Sequence, residues 1–214
     1  MAVPEWFFGA NAGLEFLATL ASFFIVYFGY RAYKLIHENK FFYFSLAFFF
    51  IGISFLARTI VHLLFYAFGM QPLLVAILKN LNYGSLFYIV LTLVAYLIIL
   101  AVISGMFSRY SIPLLFLLSL VGIIFSLNSL LTFHIMALLI LIFILWRQMD
   151  AYFKHRNTTG LFVFATFLLL AVGHVLFIAL SYVNLAYTFY ILAHLFQLGG
   201  YFTLLFATIR VWIR

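Results

Sequence analysis

The sequence predicts an all-α polytopic membrane protein, a bundle of seven transmembrane helices. Two compositional facts and one pattern predict it. The 214 residues are 69% hydrophobic and only 7% charged, and the mean hydropathy is +1.27. At about twenty apolar residues per crossing, that length holds roughly seven spans and no separate soluble domain. The pattern is a series of apolar runs of spanning length, each bounded by charged or turn-forming residues.

Taken in order, the runs place helix 1 near 12–33, helix 2 near 41–68 and helix 3 near 83–107. Helix 4 follows near 112–127, helix 5 near 130–149, helix 6 near 159–182 and helix 7 near 186–213. The apolar stretch 72–81 cannot simply join helix 3, since the product would exceed 50 Å at about 1.5 Å per residue. It reads instead as an interfacial helix. Pro4, Pro72 and Pro113 fall at segment starts or in connections, where a missing N–H is tolerated.

With seven crossings, Arg31, Lys34, Lys40, Arg109, Arg147, Lys154, Arg156, Arg210 and Arg214 all fall on one side. The positive-inside rule then puts the N-terminus outside, the C-terminus in the cytoplasm and the chain in the cell membrane as a multi-pass protein. The formal charge of +7 is thereby a topology signal, with the lipid bilayer as the partner and nucleic acid excluded. The triplet Asn157-Thr158-Thr159 matches a glycosylation acceptor but falls on the cytoplasmic side. Residues 1–10 contain Glu5 and no Lys or Arg, so they lack the basic start of a cleaved signal peptide. Zero cysteines exclude disulfides, thiolate metal sites and a Cys nucleophile.

Polar side chains inside these runs are the candidate functional residues, because a polar group in hydrocarbon is unfavourable unless a ligand, ion or proton path retains it. His62, His134, His174 and His194 each lie roughly 7–12 Å below the expected outer boundary, in one layer. Arg58 sits one turn deeper than His62 on the same face. Glu15 is the one acid within an apolar span and the natural counter-charge for Arg58 or a protonated histidine. On helix 7, Tyr190, His194, Gln197 and Tyr201 share a face by their spacings of four, three and four. Gly199 and Gly200 would admit a neighbouring helix beside them. The candidate ligand-binding set is Glu15, Arg58, His62, His174, His194, Gln197 and Tyr201; His134 reads as a structural histidine.

Three chemistries suit this set. The first is a sensing pocket for a small molecule, proton or ion, because imidazole titrates near neutrality, at about 6.5 when unperturbed. The second is a b-type cytochrome in which two of His62, His174 and His194 ligate haem. The third is a zinc-dependent intramembrane hydrolase using the same three histidines as ligands for a divalent metal. The last helix of ceramidase-like and adiponectin-receptor-like hydrolases carries an H-x-x-x-H pair, whereas here Leu198 follows His194 at that spacing. Retinal is excluded, since no lysine between Asn157 and Arg214 could form the Schiff base.

Several motifs resemble the membrane-associated sensor (MASE-type) seven-helix domains. Gly13-Leu14-Glu15-Phe16 with Tyr30-Arg31 resembles their first helix. The run Phe44 to Gly52 followed by Arg58 and His62 resembles their second. His194-Leu195-Phe196-Gln197 through Tyr201 is similar to an H-x-x-K-x-x-x-Y pattern, with Gln197 at the position of the Lys. The resemblance implies a sensor bundle of the kind fused to histidine kinases or cyclic-dinucleotide enzymes. Because this chain ends at Arg214, directly after helix 7, the expectation is a signal passed to a separate partner.

Overall fold

The computed structural model describes residues 5–68, 83–105, 113, 116–117, 120–121, 123, 129–180, 182 and 186–213. Six long helices account for nearly all of them: α1 (Glu5–Ile36), α2 (Asn39–Phe68), α3 (Tyr83–Ser104), α4 (Ser129–His155), α5 (Thr158–Leu180) and α6 (Ala186–Ile213). Each is long and apolar enough to cross a bilayer, so the chain has the make-up of a multi-pass membrane protein. Among the described residues the number of such helices is six rather than the expected seven. The expected helix 4 lies mostly outside the described residues, and the expected interfacial helix at 72–81 lies wholly outside them.

Hydrophobicity located the helices, and local chemistry sets their ends. α1 starts earlier than the sequence predicts, at Glu5, because the aromatic residues of its first turns have tertiary partners: Phe7 packs on Tyr190 and Phe8 on Phe65. At the other end His37 adopts a left-handed conformation (φ 59°) and donates its N–H to the Tyr33 carbonyl, which closes the helix. Arg156 (φ 43°) ends α4 in the same way, bonding back to Tyr152. α4 runs past the expected end at 149 because its final turn is held in water by the Asp150–Lys154 pair at i,i+4. Asn157 caps α5, its side-chain oxygen accepting from the Gly160 N–H at 2.5 Å. Gly105, at φ 67°, follows α3, where a side chain would be strained.

The helices close into a ring in chain order, each packing on the next and α6 returning to α1. Glycine permits the tightest approach: a Cβ on Gly173 of α5 would come within 2.7 Å of Gln197 and 3.1 Å of the Ala193 carbonyl on α6. Gly200 meets Leu170 and the Thr166 carbonyl at 3.1 Å. Gly199 has only ordinary contact, with Leu169 at 3.9 Å, so the close approach expected of the Gly199-Gly200 pair is made by Gly200. Hydroxyls in the spans are kept satisfied within their own helices, as in Thr19 to the Glu15 carbonyl and Thr203 to the Gly199 carbonyl.

Two ends of the ring differ in chemistry. Arg31, Lys34, Lys40, Arg147, Lys154, Arg156 and Arg210 gather at one end, here the basic end. His62, His134, His174 and His194 gather near the other. Tyr88, near the start of α3, packs edge-on against Phe133, near the start of α4, so these two helices begin at the same end and run parallel. Between α3 and α4, six described residues are helical, among them Ile123, fully buried, and Phe116, which packs on the core.

Replacing Gly173 by Leu forces α5 away from α6 and should lower stability by about 1–3 kcal/mol, the usual effect of overpacking. Thermal unfolding in detergent measures it; an unchanged melting temperature would contradict the close approach.

Candidate functional site

α1 and α2 carry the charged half of the site. Glu15 has a fully buried side chain. Its Oε1 lies 2.8 Å from Arg58 Nη2, and its Oε2 lies 2.7 Å from His62 Nδ1. The Arg58 contact is an ion pair rather than a directed hydrogen bond, because no donor is aligned on Oε1. Arg58 Nη2 instead donates to the Tyr190 hydroxyl at 2.8 Å. The guanidinium also lies 4.5 Å from the centre of the Tyr88 ring, a cation–π contact. A carboxylate, a guanidinium and an imidazole thus share one dry position, linking α1, α2, α3 and α6.

α4, α5 and α6 carry the second half. His174 is fully buried, with its Nδ1 2.9 Å from Nδ1 of His134 and its Nε2 3.2 Å from the Tyr96 hydroxyl. Gln197 Nε2 stands 3.5 Å from the same His174 nitrogen. The His134 ring stacks on Phe177 at 4.5 Å and 9°, and the other edge of Phe177 meets His194 at 5.0 Å. His194 in turn lies 4.7 Å from Tyr190. Tyr190 is therefore the link between the halves, touching Arg58 on one side and His194 on the other.

The seven residues singled out in the sequence divide as follows. Glu15, Arg58 and His62 form one group in direct contact. His174 and Gln197 belong to the other, with His194 beside them across Phe177. Tyr201 lies one turn deeper on α6, fully buried against Phe48 and Phe55. Four further residues join the site from outside the predicted set. His134, placed by the sequence in the histidine layer and read as structural, is bonded to His174. Tyr88 and Tyr96 lie on α3, whose uniform apolarity gives no face to read. Asn11, buried one turn before Glu15 on α1, follows the i,i+4 rule and was findable.

Polar satisfaction is incomplete on two helices. Among the described residues, Asn11 Oδ1 on α1 and His194 Nε2 and Gln197 Oε1 on α6 are buried without a hydrogen-bond partner. Glu15 Oε1 has the Arg58 ion pair alone, and Tyr201 has the Tyr96 hydroxyl as its neighbour. α1 and α6 pack side by side. Buried polar atoms are normally paired, by protein or by a bound molecule.

Metal ligation is poorly served by this arrangement. Among the described residues no three His, Cys, Asp or Glu side chains are placed to hold an ion. The imidazoles are instead partitioned, His62 with Glu15 and His174 with His134. At about 2.0–2.1 Å per bond, two nitrogens on a tetrahedral metal stand roughly 3.4 Å apart; the 2.9 Å between His134 and His174 is hydrogen-bond spacing.

Comparison of the chain with family models, curated proteins and solved structures finds no match. The likeness to MASE-type sensor domains accordingly rests on the motifs of three helices, while the structure itself shows a helical bundle with six membrane-capable helices among the described residues.

Removing one partner of a buried ion pair leaves the other unpaired in a dry site. Glu15→Ala and Arg58→Ala should each lower stability by about 3–5 kcal/mol, and the double variant by clearly less than their sum. Denaturant unfolding in detergent measures the cycle, and additive losses would contradict the pair.

Proposed function

We propose that the chain is an integral membrane sensory or ligand-binding module, whose pocket lies in the outer half of a seven-crossing bundle with its N-terminus outside. The observation that carries the reading is the set of buried polar atoms without partners among the described residues, Asn11 Oδ1 on α1 and His194 Nε2 and Gln197 Oε1 on α6, near the Glu15–Arg58–His62 triad. A small polar molecule, a proton or an ion beside them would complete hydrogen bonds that the fold leaves open.

Signalling follows from charge. Glu15 and Arg58 together are neutral, so each proton or ion gained by the neighbouring imidazoles adds uncompensated charge to a dry layer. Relief comes from moving the helices that hold those groups, α1, α2 and α6, and their far ends lie on the basic surface where a separate partner could read the change. The motifs shared with MASE-type sensor domains support the same reading. A bis-histidine haem or a hydrolytic zinc draws no support from imidazoles paired with Glu15 and with each other.

Two observations favour the seven-crossing topology. Parallel α3 and α4 require the chain to return across the bundle between them, and of the eight described Lys and Arg residues all but Arg58 cluster at a single end, as the positive-inside rule expects of the cytoplasmic face. Because the chain has no cysteine, single-cysteine labelling reads the topology cleanly. In sealed cells an impermeant maleimide should label Tyr182→Cys, and label Glu38→Cys only after permeabilisation. The opposite pattern would invert the bundle and reject an extracellular pocket.

The pocket itself is tested by thermal unfolding of purified protein at pH steps between about 5 and 8, and with acetate, ammonium or zinc added singly. At least one condition should shift the wild-type melting temperature by an amount that disappears in both Glu15→Gln and His194→Ala. Equal shifts in wild type and variants would reduce the polar layer to a structural network.

A further inference from the structure

The basic end of the ring holds a partly open cavity of about 220 Å³, distinct from the polar site. Ala32 of α1, Phe44 of α2, Val102 of α3, Val163 of α5 and Ala207 of α6 all contribute to its wall. In a ring closed in chain order, α3 and α5 are not neighbours, so a space bounded by both lies on the bundle axis and not in an outer groove. The wall offers little polarity: the Thr208 hydroxyl is already bonded to the Leu204 carbonyl. Buried Leu204 also lines it, and Tyr201, a turn deeper on the same helix, is fully buried. Among the described lining residues the one charged group is Lys40, at the start of α2.

An apolar cavity of this kind does not hold ordered water, which needs polar partners, and left unfilled it forfeits dispersion contacts along its whole surface. Hydrocarbon is the filling that restores them. The mouth selects the other end of the occupant. Lys40 is more than half exposed and is matched only by Glu38, in a surface pair that contributes little and exchanges easily. Around it the described part of the basic end carries seven Lys and Arg side chains against two acids, Glu38 and Asp150, so a negative headgroup is favoured there.

We infer that this vestibule binds the acyl chain of an anionic phospholipid from the adjoining leaflet, with the phosphate held at Lys40. The inference is independent of the polar site, since it uses the opposite end of the bundle and none of the same side chains.

The test uses the full chain in detergent with phosphatidylglycerol carrying a photoactivatable diazirine on its acyl chain, and phosphatidylcholine with the same chain as the control. Mass spectrometry of the crosslinked peptides should place the label on Val102, Val163 or Ala207. Phosphatidylglycerol should be favoured by about five-fold, the size of one lysine–headgroup attraction. Lys40→Gln, a surface change that leaves the packing intact, should erase the preference, and Ala207→Trp should displace the label from the vestibule. Crosslinks confined to outward-facing residues such as Leu139 and Phe143 would overturn the assignment. So would equal vestibule labelling by the two lipids in the wild type, or a preference unchanged in Lys40→Gln.

Discussion

A carboxylate with no exposed surface, placed at hydrocarbon depth, is the constraint around which the histidine end is organised. Glu15 cannot stand there alone, because an unpaired charge in a medium of low dielectric is unfavourable by several kcal/mol. Its two oxygens are answered by Arg58 and His62, both on α2 and one helical turn apart. Arg58 in turn needs more than one partner, and takes the Tyr190 hydroxyl and the Tyr88 face. One buried acid thus fixes the mutual rotation of four helices. Hydrophobic packing alone would not do so, because lipid solvates an apolar helix as well as another helix does.

The second polar group follows a different rule. His134, His174, Tyr96 and Gln197 are neutral-capable groups that exchange hydrogen bonds across α3 to α6, with aromatic rings filling the space between. Phe177 separates them from His194 while touching both sides. Phe48, Phe55 and Tyr201, all but fully buried and in mutual contact, then lie between the polar half and the apolar half. Polarity is stratified along the axis: charge near the histidine end, aromatic rings at the middle, an apolar vestibule at the basic end.

Much of this was legible in the sequence because membranes read sequence by length and charge. The spans α1, α2, α5 and α6 were found as apolar runs, and the Glu15–Arg58 pairing followed from there being one acid at the right depth for one arginine. What was not legible depended on which way a uniformly apolar helix faces. α3 presents Tyr88 and Tyr96 inward, yet its sequence has no polar face to fix that orientation. Aromatic content does not separate inside from outside either, since Phe143 and Trp146 face outward while Phe133, on the same helix, is fully buried. Helix ends beyond the hydrocarbon were also missed, because the Asp150–Lys154 pair extends α4 through local charge rather than hydropathy.

The left-handed residues His37 and Arg156 each close a helix with a connection of only two residues before the next begins. Links that short behave as stiff elbows: α1 with α2, and α4 with α5, are obliged to travel as staves joined at the base, and the interlock at Gly173 and Gly200 adds α6 to the second set. Whatever deformation the barrel undergoes is thereby concentrated along the borders between these units, beside α3 and at the α1–α6 seam. Both helices of that last border carry buried polar atoms without partners among the described residues, so strain gathered there changes the surroundings of Asn11, His194 and Gln197.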